Sequence, residues 1–395
     1  MTFIRNILLA SIPIGKGKKI KFPVLLWYSL TVIAILAELF HGKLRNYMIF
    51  KGVFWHTVKQ TNLYSEYPSE YLDVNHYGPF FSVIVAPFAV MPDAVGIFCW
   101  CMLNSFLLLY AIKKLPLSDE NKLLILLIAS IEMMTSIHNL QVNPMLTAWL
   151  IFAFILTERG RDFWATLFVA AGFMVKLYGI AGLLFFVFSK NKLGFVLSFF
   201  FWLIVMFLLP MLFSSPSFII SSYLDWWNVL VEKNLQNTQS LMQDISLMGF
   251  IRRSFHWPDL SNFAVLIPAS LLIILPLLRF QQYKYLSFRL SYLAIVLMSV
   301  VLLSTSAESA TYVLAVTGAA IWYVIYPHTK FTLALLIFML ILTSLSATDF
   351  FPAYIRNHFT RPYSLKALPC ILIWLVLLKN IAVNNFADNK NPYIV

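Results

Sequence analysis

Long apolar runs separated by short polar stretches dominate the chain from residue 23 onward. The runs have the length of helices, and they lack the short alternation typical of a transmembrane β-barrel. A lipid-exposed backbone must satisfy its own hydrogen bonds, so the pattern predicts an all-α bundle of transmembrane helices. The expected spans, about twelve in number, are residues 23–40, 79–112, 122–138, 144–157, 163–175, 177–188, 193–213, 262–279, 287–303, 309–326, 331–347 and 366–383.

Four of these runs depart from a simple span. Residues 79–112 form one long run that we expect to break at Met91-Pro92. Residues 144–157, 163–175 and 177–188 are shorter than the roughly 20 residues of a full span. No repeat or low-complexity tract interrupts the sequence, which predicts a single integral membrane domain over residues 1–395.

Composition excludes an ordinary soluble protein. Hydrophobic residues make up 60% of the chain and charged residues 12%, with a mean hydropathy of +0.79. Soluble domains carry about 25% charged residues. The net charge of +12 would suit a nucleic-acid partner, but the Lys and Arg residues mark the ends of apolar runs. We therefore interpret them as topology signals and expect no nucleic acid.

The basic clusters fall on alternate connections and define the cytoplasmic face. They are residues 16–21, 113–114, 158–162, 190–192, 279–289 and 328–330. This predicts a multi-pass protein of the cell inner membrane, with both termini cytoplasmic. The opposite face then holds two sizeable loops, 41–78 and 214–260, which gather Trp, Tyr, His, Asp, Asn and Gln. Since loops on a rigid scaffold usually carry function, we expect the outer face to be the working one.

The N-terminus and the cysteines add little chemistry. The apolar patch at residues 7–14 is followed, not preceded, by its basic cluster. That order favours a cytoplasmic start over a signal peptide, with the first span beginning near Phe22. Cys99, Cys101 and Cys370 lie in apolar stretches without metal-ligand spacing, so we expect free thiols and no metal.

An amphipathic helix is predicted early in the first outer loop. Tyr47, Phe50, Phe54 and Val58 recur at three- or four-residue spacing, while His56 falls off this apolar face. Such a pattern is typical of a helix lying along the membrane interface.

The stretch "EYLDVNHYGPF", residues 70–80, gathers hydrogen-bonding groups just before an apolar run. Near the membrane surface, the carboxylate of Asp73 could take a proton from a hydroxyl, with His76 or Tyr77 orienting the acceptor. The alternative is a loop whose polar groups only hydrogen-bond at the headgroup level.

Two further outer stretches carry candidate ligand contacts. In "HNLQVNP", the amides of Gln141 and Asn143 can contact sugar hydroxyls, although a turn ended by Asn-Pro explains them as well. In "GFMVKLYGI", Lys176 lies between two short apolar runs, followed by Tyr178. A lysine at this depth is a functional candidate for binding phosphate, and simple snorkelling is its alternative.

The second outer loop and the connection at 304–308 supply the remaining charged candidates. Arg252 and Arg253 could grip a phosphate, or contact lipid headgroups instead. Asp225 is expected at the start of an interfacial helix. Glu308 could begin the following helix favourably, or face the same cavity as Asp73.

Taken in order, these stretches resemble glycosyltransferase family 87, the polyprenol-phosphate-mannose-dependent mannosyltransferases of the GT-C superfamily. The likeness covers about residues 22–380 and rests on "NYMIF", "NLY", "HYGPFFSVIVAPFAVMP", "QVNP", "VKLYG", "ISLMGFIRR" and "STSAESATY". Two departures stand out. Asn46 occupies the place of a family Asp, and Glu308 that of a family His. Because an amide cannot serve as a base, that role cannot be carried over to Asn46.

The resemblance implies an inverting, metal-independent and cofactor-free hexosyltransferase. It would move a hexose, by implication mannose, from a polyprenyl-phosphate donor to a lipid or glycan acceptor on the exoplasmic face. We expect Asp73 as the base with Glu308 in reserve, and Lys176, Arg252 and Arg253 at the donor phosphate. The expected substrate contacts are Asn46, Tyr47, His76, Tyr77, Gln141, Asn143 and Tyr178.

Two other functions stay open. A lipid-linked sugar transporter or flippase would want polar groups through the depth of several helices, whereas here they gather at one face. A catalytically silent GT-C relative is the other alternative, because of Asn46. The absence of GxGxxG, Walker and DxD motifs fits a donor tethered in the membrane.

Overall fold

The computed structural model describes residues 8–13, 19–42 and 44–387. These residues are overwhelmingly helical, which confirms the all-α prediction. The α-helices, numbered in chain order, are α1 (Phe22–His41), α2 (Arg45–Lys59), α3 (Phe81–Ala89), α4 (Asp93–Lys114), α5 (Asp119–His138), α6 (Asn143–Glu158), α7 (Asp162–Val175), α8 (Lys192–Leu208), α9 (Pro216–Asn237), α10 (Leu247–Ser254), α11 (Asn262–Ile274), α12 (Leu286–Leu302), α13 (Tyr312–Ile325), α14 (Lys330–Met339), α15 (Ala353–Ile355) and α16 (Leu368–Val383).

Several helices are extended or joined by turns of different pitch. The 3-10 segments are Leu177–Phe188, Leu209–Leu212, Leu275–Leu278, Phe280–Gln282, Ser309–Thr311, Leu345–Ala347 and Leu365–Ala367. The π segments are Leu340–Ser344 and Arg356–Thr360. An antiparallel pair of short strands, β1 (Ser11–Pro13) and β2 (Lys19–Lys21), precedes α1. Helix α1 begins at Phe22, where the sequence predicts the start of the first span.

Six described helices are long and apolar enough to cross a membrane, namely Phe22–His41, Asp93–Lys114, Asp119–His138, Lys192–Leu212, Lys330–Ala347 and Leu365–Val383. Shorter apolar helices occur at Asn143–Glu158, Asp162–Val175, Leu177–Phe188, Asn262–Leu278, Leu286–Leu302 and Ser309–Ile325. These shorter helices do not reach the roughly 20 residues of a full span. The count of about twelve spans therefore stays a prediction.

The predicted break at Met91-Pro92 is confirmed and separates α3 from α4. The carbonyl of Pro92 accepts the first helical hydrogen bonds, from the N–H groups of Val95 and Gly96, both at 2.9 Å. Proline suits this position because it begins a helix more readily than it continues one.

The chain folds into two compact units. Unit A comprises Met1–Val32, Leu109–Ser136 and Asn237–Val395. Unit B comprises Ile33–Leu108 and Ile137–Gln236. The prediction of a single integral membrane domain stays a prediction.

The core of unit A is built from α12, α13 and α16, of which α12 and α13 are almost wholly buried. The indole N–H of Trp374 in α16 donates to the hydroxyl of Ser299 in α12 at 2.9 Å. Apolar side chains all round α13 make it a buried helix rather than an amphipathic one.

In unit B, α6, α7 and the 3-10 segment Leu177–Phe188 pack together. Helix α7 and the 3-10 segment contact each other at Gly172 and Gly179. A Cβ on Gly179 would lie 2.2 Å from the amide nitrogen of Phe173 and 2.3 Å from the carbonyl carbon of Gly172. Only glycine allows such a close backbone approach. This contact folds the chain sharply at Lys176, between the two segments.

The helix predicted in the first outer loop is confirmed as α2, with Tyr47, Phe50 and Phe54 buried. The prediction of which residues form the buried face of α2 was wrong at two positions. Val58 is exposed and His56 is buried, because the ring of Tyr67 covers the imidazole with centroids 4.0 Å apart.

A second correction concerns the long outer loop. Asp225 does not begin a helix, since α9 starts at Pro216 and carries Asp225 in its interior. Buried Trp226 instead packs with Leu63 and Tyr64 of the first outer loop. This packing, and not a helix start, accounts for the position of Trp226, whereas Trp227 is exposed.

Candidate functional site

Gly78 anchors the stretch 70–80 onto the end of α7. Its N–H donates to the carbonyl of Val175 at 3.1 Å, and a Cβ at this position would lie 2.1 Å from the carbonyl oxygen of Met174. The indole N–H of Trp226 in α9 donates to the carbonyl of His76 at 3.0 Å. The loop is thereby held between α7 and α9, and only glycine fits at its anchor.

Polar side chains from three stretches of unit B converge beside this anchor. The hydroxyl of Tyr77 donates to Oε1 of Gln141 at 2.9 Å. The ammonium of Lys176 donates to Oδ1 of Asn143 at 3.4 Å and lies 4.6 Å from the centroid of the Tyr178 ring. The structure thus brings together five of the residues expected at the substrate.

A strained turn presents these amides. Leu140 has a φ of +54°, which a leucine adopts only when its surroundings impose it. The indole N–H of Trp100 donates to the Leu140 carbonyl at 2.9 Å and holds the turn. The following helix, α6, begins at Asn143 with Pro144 in its first turn, so the predicted Asn-Pro turn is present as well.

A cavity of about 410 Å³ opens in unit B beside the stretch that carries Asp73. Its lining residues come from the first outer loop and from α9, and they are Tyr64, Glu66, Pro68, Tyr71, Leu72, Asp73, Val74, His76, Val229, Glu232, Lys233 and Gln236. Asp73 is exposed, and its Oδ1 accepts the N–H of Val74 at 2.8 Å. A carboxylate in this position is accessible to a ligand.

His76 is half-buried in the cavity wall, and its pKa is lowered to about 4. Burial is the main cause, followed by the nearby ammonium of Lys233, while the carboxylate of Asp73 opposes both and Lys176 adds a smaller lowering. The imidazole is therefore neutral at neutral pH and can accept or donate a hydrogen bond.

Asn46 and Tyr47 face other partners within unit B. The amide of Asn46 donates to the carbonyl of Asn139 at 2.8 Å. Tyr47 is fully buried, and its hydroxyl donates to the carbonyl of Phe88 at 2.8 Å. These bonds tie α2 to the helix ends around it. The expected substrate contacts of both residues stay predictions.

Glu308, Arg252 and Arg253 belong to unit A. The chain before α10 pairs with the chain before α13, since the N–H of Asp244 donates to the carbonyl of Thr305 at 2.9 Å. Next to this pairing, the amide of Gln243 donates to Oε2 of Glu308 at 3.3 Å. Glu308 also forms a capping box with Thr311, which confirms that it begins the next helical segment.

Both arginines are held by protein acceptors. Arg252 is buried, and it pairs with Asp244 at 2.7 Å, with the carbonyl of Leu260 at 2.9 Å and with the side chain of Asn262. A buried arginine with a carboxylate partner is costly to detach from it.

Arg253 donates to carbonyl oxygens of Ser240 at 2.5 Å and Gln243 at 2.8 Å, and to the hydroxyl of Ser364 at 2.5 Å. The binding of a donor phosphate by Arg252 and Arg253 stays a prediction.

Comparison with known proteins decides the family. The model of glycosyltransferase family 87 matches residues 75–305, more than half of the chain. The chain belongs to glycosyltransferase family 87. It is accordingly a glycosyltransferase, and its apolar helices make it a multi-pass membrane protein. No curated protein sequence matches it.

The family 87 match includes most of the site but neither of the two acids expected as the base. His76, Lys176 and the Gln141–Asn143 stretch lie within residues 75–305, whereas Asp73 lies just before them and Glu308 just after. The assignment of Asp73 or Glu308 as the base therefore stays a prediction.

Two features of this family 87 chain escaped the sequence reasoning. One is Lys233. Its helical spacing from Trp226 and Val229 places the three residues on a single face of α9, and this spacing could have indicated its position from the sequence. The other is the buried pair of Lys366 with Glu132, 2.9 Å apart in unit A, with the ammonium 5.0 Å from the centroid of the Tyr312 ring. Its signal was a charged residue inside an apolar run.

The described residues contain no group of three or more His, Cys, Asp or Glu able to hold a metal ion. Metal-independent chemistry stays a prediction for this family 87 chain. The three cysteines are free thiols, as expected from their apolar surroundings.

Proposed function

We propose that this family 87 chain transfers a hexose, with mannose the first choice, from a polyprenyl-phosphate donor to a lipid or glycan acceptor. Transfer takes place on the exoplasmic face of the cell inner membrane, with inversion and without a metal or cofactor. The observation that carries this proposal is the unit B cavity, where exposed Asp73 lies beside a neutral His76.

The chemistry needs one proton acceptor and one leaving group. The carboxylate of Asp73 takes the proton of an acceptor hydroxyl, while that oxygen forms a bond to the anomeric carbon of the hexose. The bond from this carbon to the phosphate oxygen breaks, and its electron pair stays on the phosphate. A positioned base contributes about 10²–10⁴-fold in rate, because a sugar or lipid hydroxyl is a weak acid.

Neighbouring groups position the substrates. The neutral imidazole of His76 orients the acceptor hydroxyl toward Asp73, and Lys176 compensates the phosphate charge. Tyr77, Gln141, Asn143 and Tyr178 contact the hexose, and Asn46 and Tyr47 hold α2 beside them. Arg252 and Arg253 reach a phosphate only if they give up their present acceptors.

The test is transfer from a panel of radiolabelled polyprenyl-phosphate sugars by the purified chain in detergent or vesicles. Asp73→Asn should lower kcat by at least about 100-fold at unchanged donor binding, because the amide cannot take the proton. Asp225→Asn is the matched control, since its carboxylate accepts from Asn62 at 3.2 Å and lies outside the cavity lining.

The second candidate for the base is Glu308. If Glu308→Gln abolishes transfer while Asp73→Asn turns over like the wild type, the base belongs to unit A and the proposed role of Asp73 is wrong. If the wild type transfers none of the sugars, the chain is a catalytically silent relative.

One observation favours the transporter as a second function. Glu132 lies within the candidate span Asp119–His138 and forms a buried ion pair with Lys366, and transporters use buried charged groups within their helices. Movement of a lipid-linked sugar across sealed vesicles, lost in Glu132→Gln and intact in Asp73→Asn, would support this function over transfer.

A further inference from the structure

Lys233 differs from every other shielded lysine of the described chain. The buried or half-buried lysines with a hydrogen bond or ion pair to a protein group are Lys21, Lys51, Lys122, Lys176 and Lys366. Lys233 is half-buried as well, yet none of the described residues accepts a hydrogen bond from its ammonium or pairs with it. A shielded cation without a partner loses hydration and gains nothing in return.

The helix that carries this lysine directs it into the cavity of unit B. Trp226, Val229 and Lys233 follow one face of α9 at helical spacing, and both Val229 and Lys233 line the cavity. Trp226 on the same face is buried against the first outer loop and fixes the helix there. The position of Lys233 is therefore set by packing rather than by an ion pair.

The charges of the cavity are arranged in two levels. The three carboxylates of its lining, Glu66, Asp73 and Glu232, are all exposed and form its rim. The more deeply placed lining includes buried Tyr64, half-buried His76 and half-buried Lys233. A ligand with hydroxyl groups and one anionic group fits this arrangement, with the hydroxyls at the rim and the anion deeper.

We propose that Lys233 binds the phosphate of the polyprenyl-phosphate donor together with Lys176. Lys176 directly follows Val175, whose carbonyl accepts the N–H of Gly78 in the stretch that lines the cavity beside Lys233. This assignment rests on the proposed transferase function. It makes Lys233, instead of Arg252 and Arg253, the second cation that binds the donor phosphate. Those two guanidinium groups are already held by protein acceptors, whereas Lys233 is not.

Two cations suit the charge that develops during transfer. The donor is a phosphodiester with one negative charge, and the leaving polyprenyl phosphate is a monoester that approaches two near neutral pH. Charge thus grows on the phosphate as its bond to the anomeric carbon breaks. Groups that bind this growing charge stabilise the transition state more than the ground state. Loss of Lys233 should therefore affect kcat more than the KM for the donor.

The experiment compares Lys233→Met and Lys233→Gln with Lys233→Arg in the transfer assay, and measures inhibition by farnesyl phosphate as a short analogue of the leaving group. The neutral variants should lower kcat about tenfold or more and weaken farnesyl phosphate inhibition by a similar factor, as expected for a lost charge-assisted contact. Lys233→Arg should retain most of both. Lys59→Met is the matched control, because Lys59 is an exposed lysine outside the cavity lining.

Each outcome separates this inference from the proposed function. If the wild type transfers sugar and both neutral variants match it in kcat and inhibition, the role of Lys233 is wrong and the function stands. If no sugar is transferred but farnesyl phosphate binds the wild type and not the neutral variants, the function fails and the phosphate site stands. If inorganic phosphate competes as well as farnesyl phosphate, the site binds free phosphate and the donor assignment is wrong.

Discussion

At the scale of single residues, His76 shows how its surroundings set the charge of a side chain. Burial and the Lys233 ammonium both oppose protonation, and the Asp73 carboxylate only partly offsets them. A change of charge on either of these two neighbours therefore alters the protonation of the imidazole. Lys233→Met should raise the pKa of His76 toward its ordinary value, in addition to its effect on transfer.

The lowered pKa of His76 has a consequence for stability in acid. The unfolded chain binds a proton at this imidazole below the ordinary pKa of 6.5, whereas the folded chain does so only near 4. Between these values the unfolded state binds more protons, so stability should fall as the pH falls from about 6.5 to about 4. The measurement is Tm in detergent from pH 7.5 to pH 4.5.

His76→Gln should show a smaller loss of Tm over that range than the wild type. Part of the loss should remain, because burial also lowers the pKa of His56, with Glu70 opposing. His358→Gln is the control, since this histidine is exposed. Equal slopes for the wild type and His76→Gln would contradict the assigned cause.

At the scale of elements, Gly78 determines where the stretch 70–80 lies. Gly78→Ala should destabilise the fold by roughly 3 kcal/mol, because its Cβ must displace backbone that has little room to move. Transfer should fall with it, since the clash with Met174 would move the loop away from the turn at Lys176. Unfolding of the purified variant in denaturant and its kcat are the measurements.

Gly42→Ala provides the comparison for that variant. Gly42 has a φ of +64° but open space around it, so an added Cβ meets nothing within 4 Å. Its cost should be the backbone strain alone, about 1–2 kcal/mol, with transfer unchanged. If Gly78→Ala costs no more than Gly42→Ala, the close approach to α7 does not hold the loop.

Apolar patterns predicted the helices well because the length of an apolar run gives the approximate length of the helix that it forms. The break before Pro92 and the start of α6 at Asn143 are local events, and both were expected. The interior position of Asp225 was missed, since α9 mixes polar and apolar residues and its start at Pro216 precedes the aromatic cluster. Local composition does not reveal a helix that is held by packing against a distant loop.

The site was predictable in its residue types but less so in its pairings. Tyr77, Gln141, Asn143 and Lys176 do converge, as their shared outer position suggested. Arg252 was expected at a phosphate because the sequence cannot show that Asp244 reaches it. That pairing depends on a left-handed backbone at Asp244, with a φ of +50°, which nothing in the local sequence demands.

At the scale of the whole molecule, the basic clusters predict the orientation of the chain in the membrane, with both termini cytoplasmic. Cysteines placed singly at Asp73 and Asp225 should react with a membrane-impermeant maleimide in intact cells, because both lie in predicted outer loops. Cysteines at Arg161 and Lys284 should react only after permeabilisation.

The background for this labelling replaces Cys99, Cys101 and Cys370 by serine or alanine, and activity of that background is the control. The last two are buried thiols, so their replacement by alanine is the conservative choice. Labelling of position 284 but not position 73 in intact cells would reverse the orientation, and the cavity would then face the cytoplasm.

The buried pair of Glu132 and Lys366 also constrains how the chain is made. Glu132 belongs to α5 and leaves the ribosome first, and its partner follows 234 residues later. At ordinary rates of synthesis that gap lasts on the order of tens of seconds. During this interval Glu132 lacks its partner Lys366, and a nascent chain cut short before Lys366 never acquires it. Chains truncated before Lys366 should therefore be the ones that quality-control proteases of the membrane remove, because they keep an unpaired buried carboxylate at Glu132.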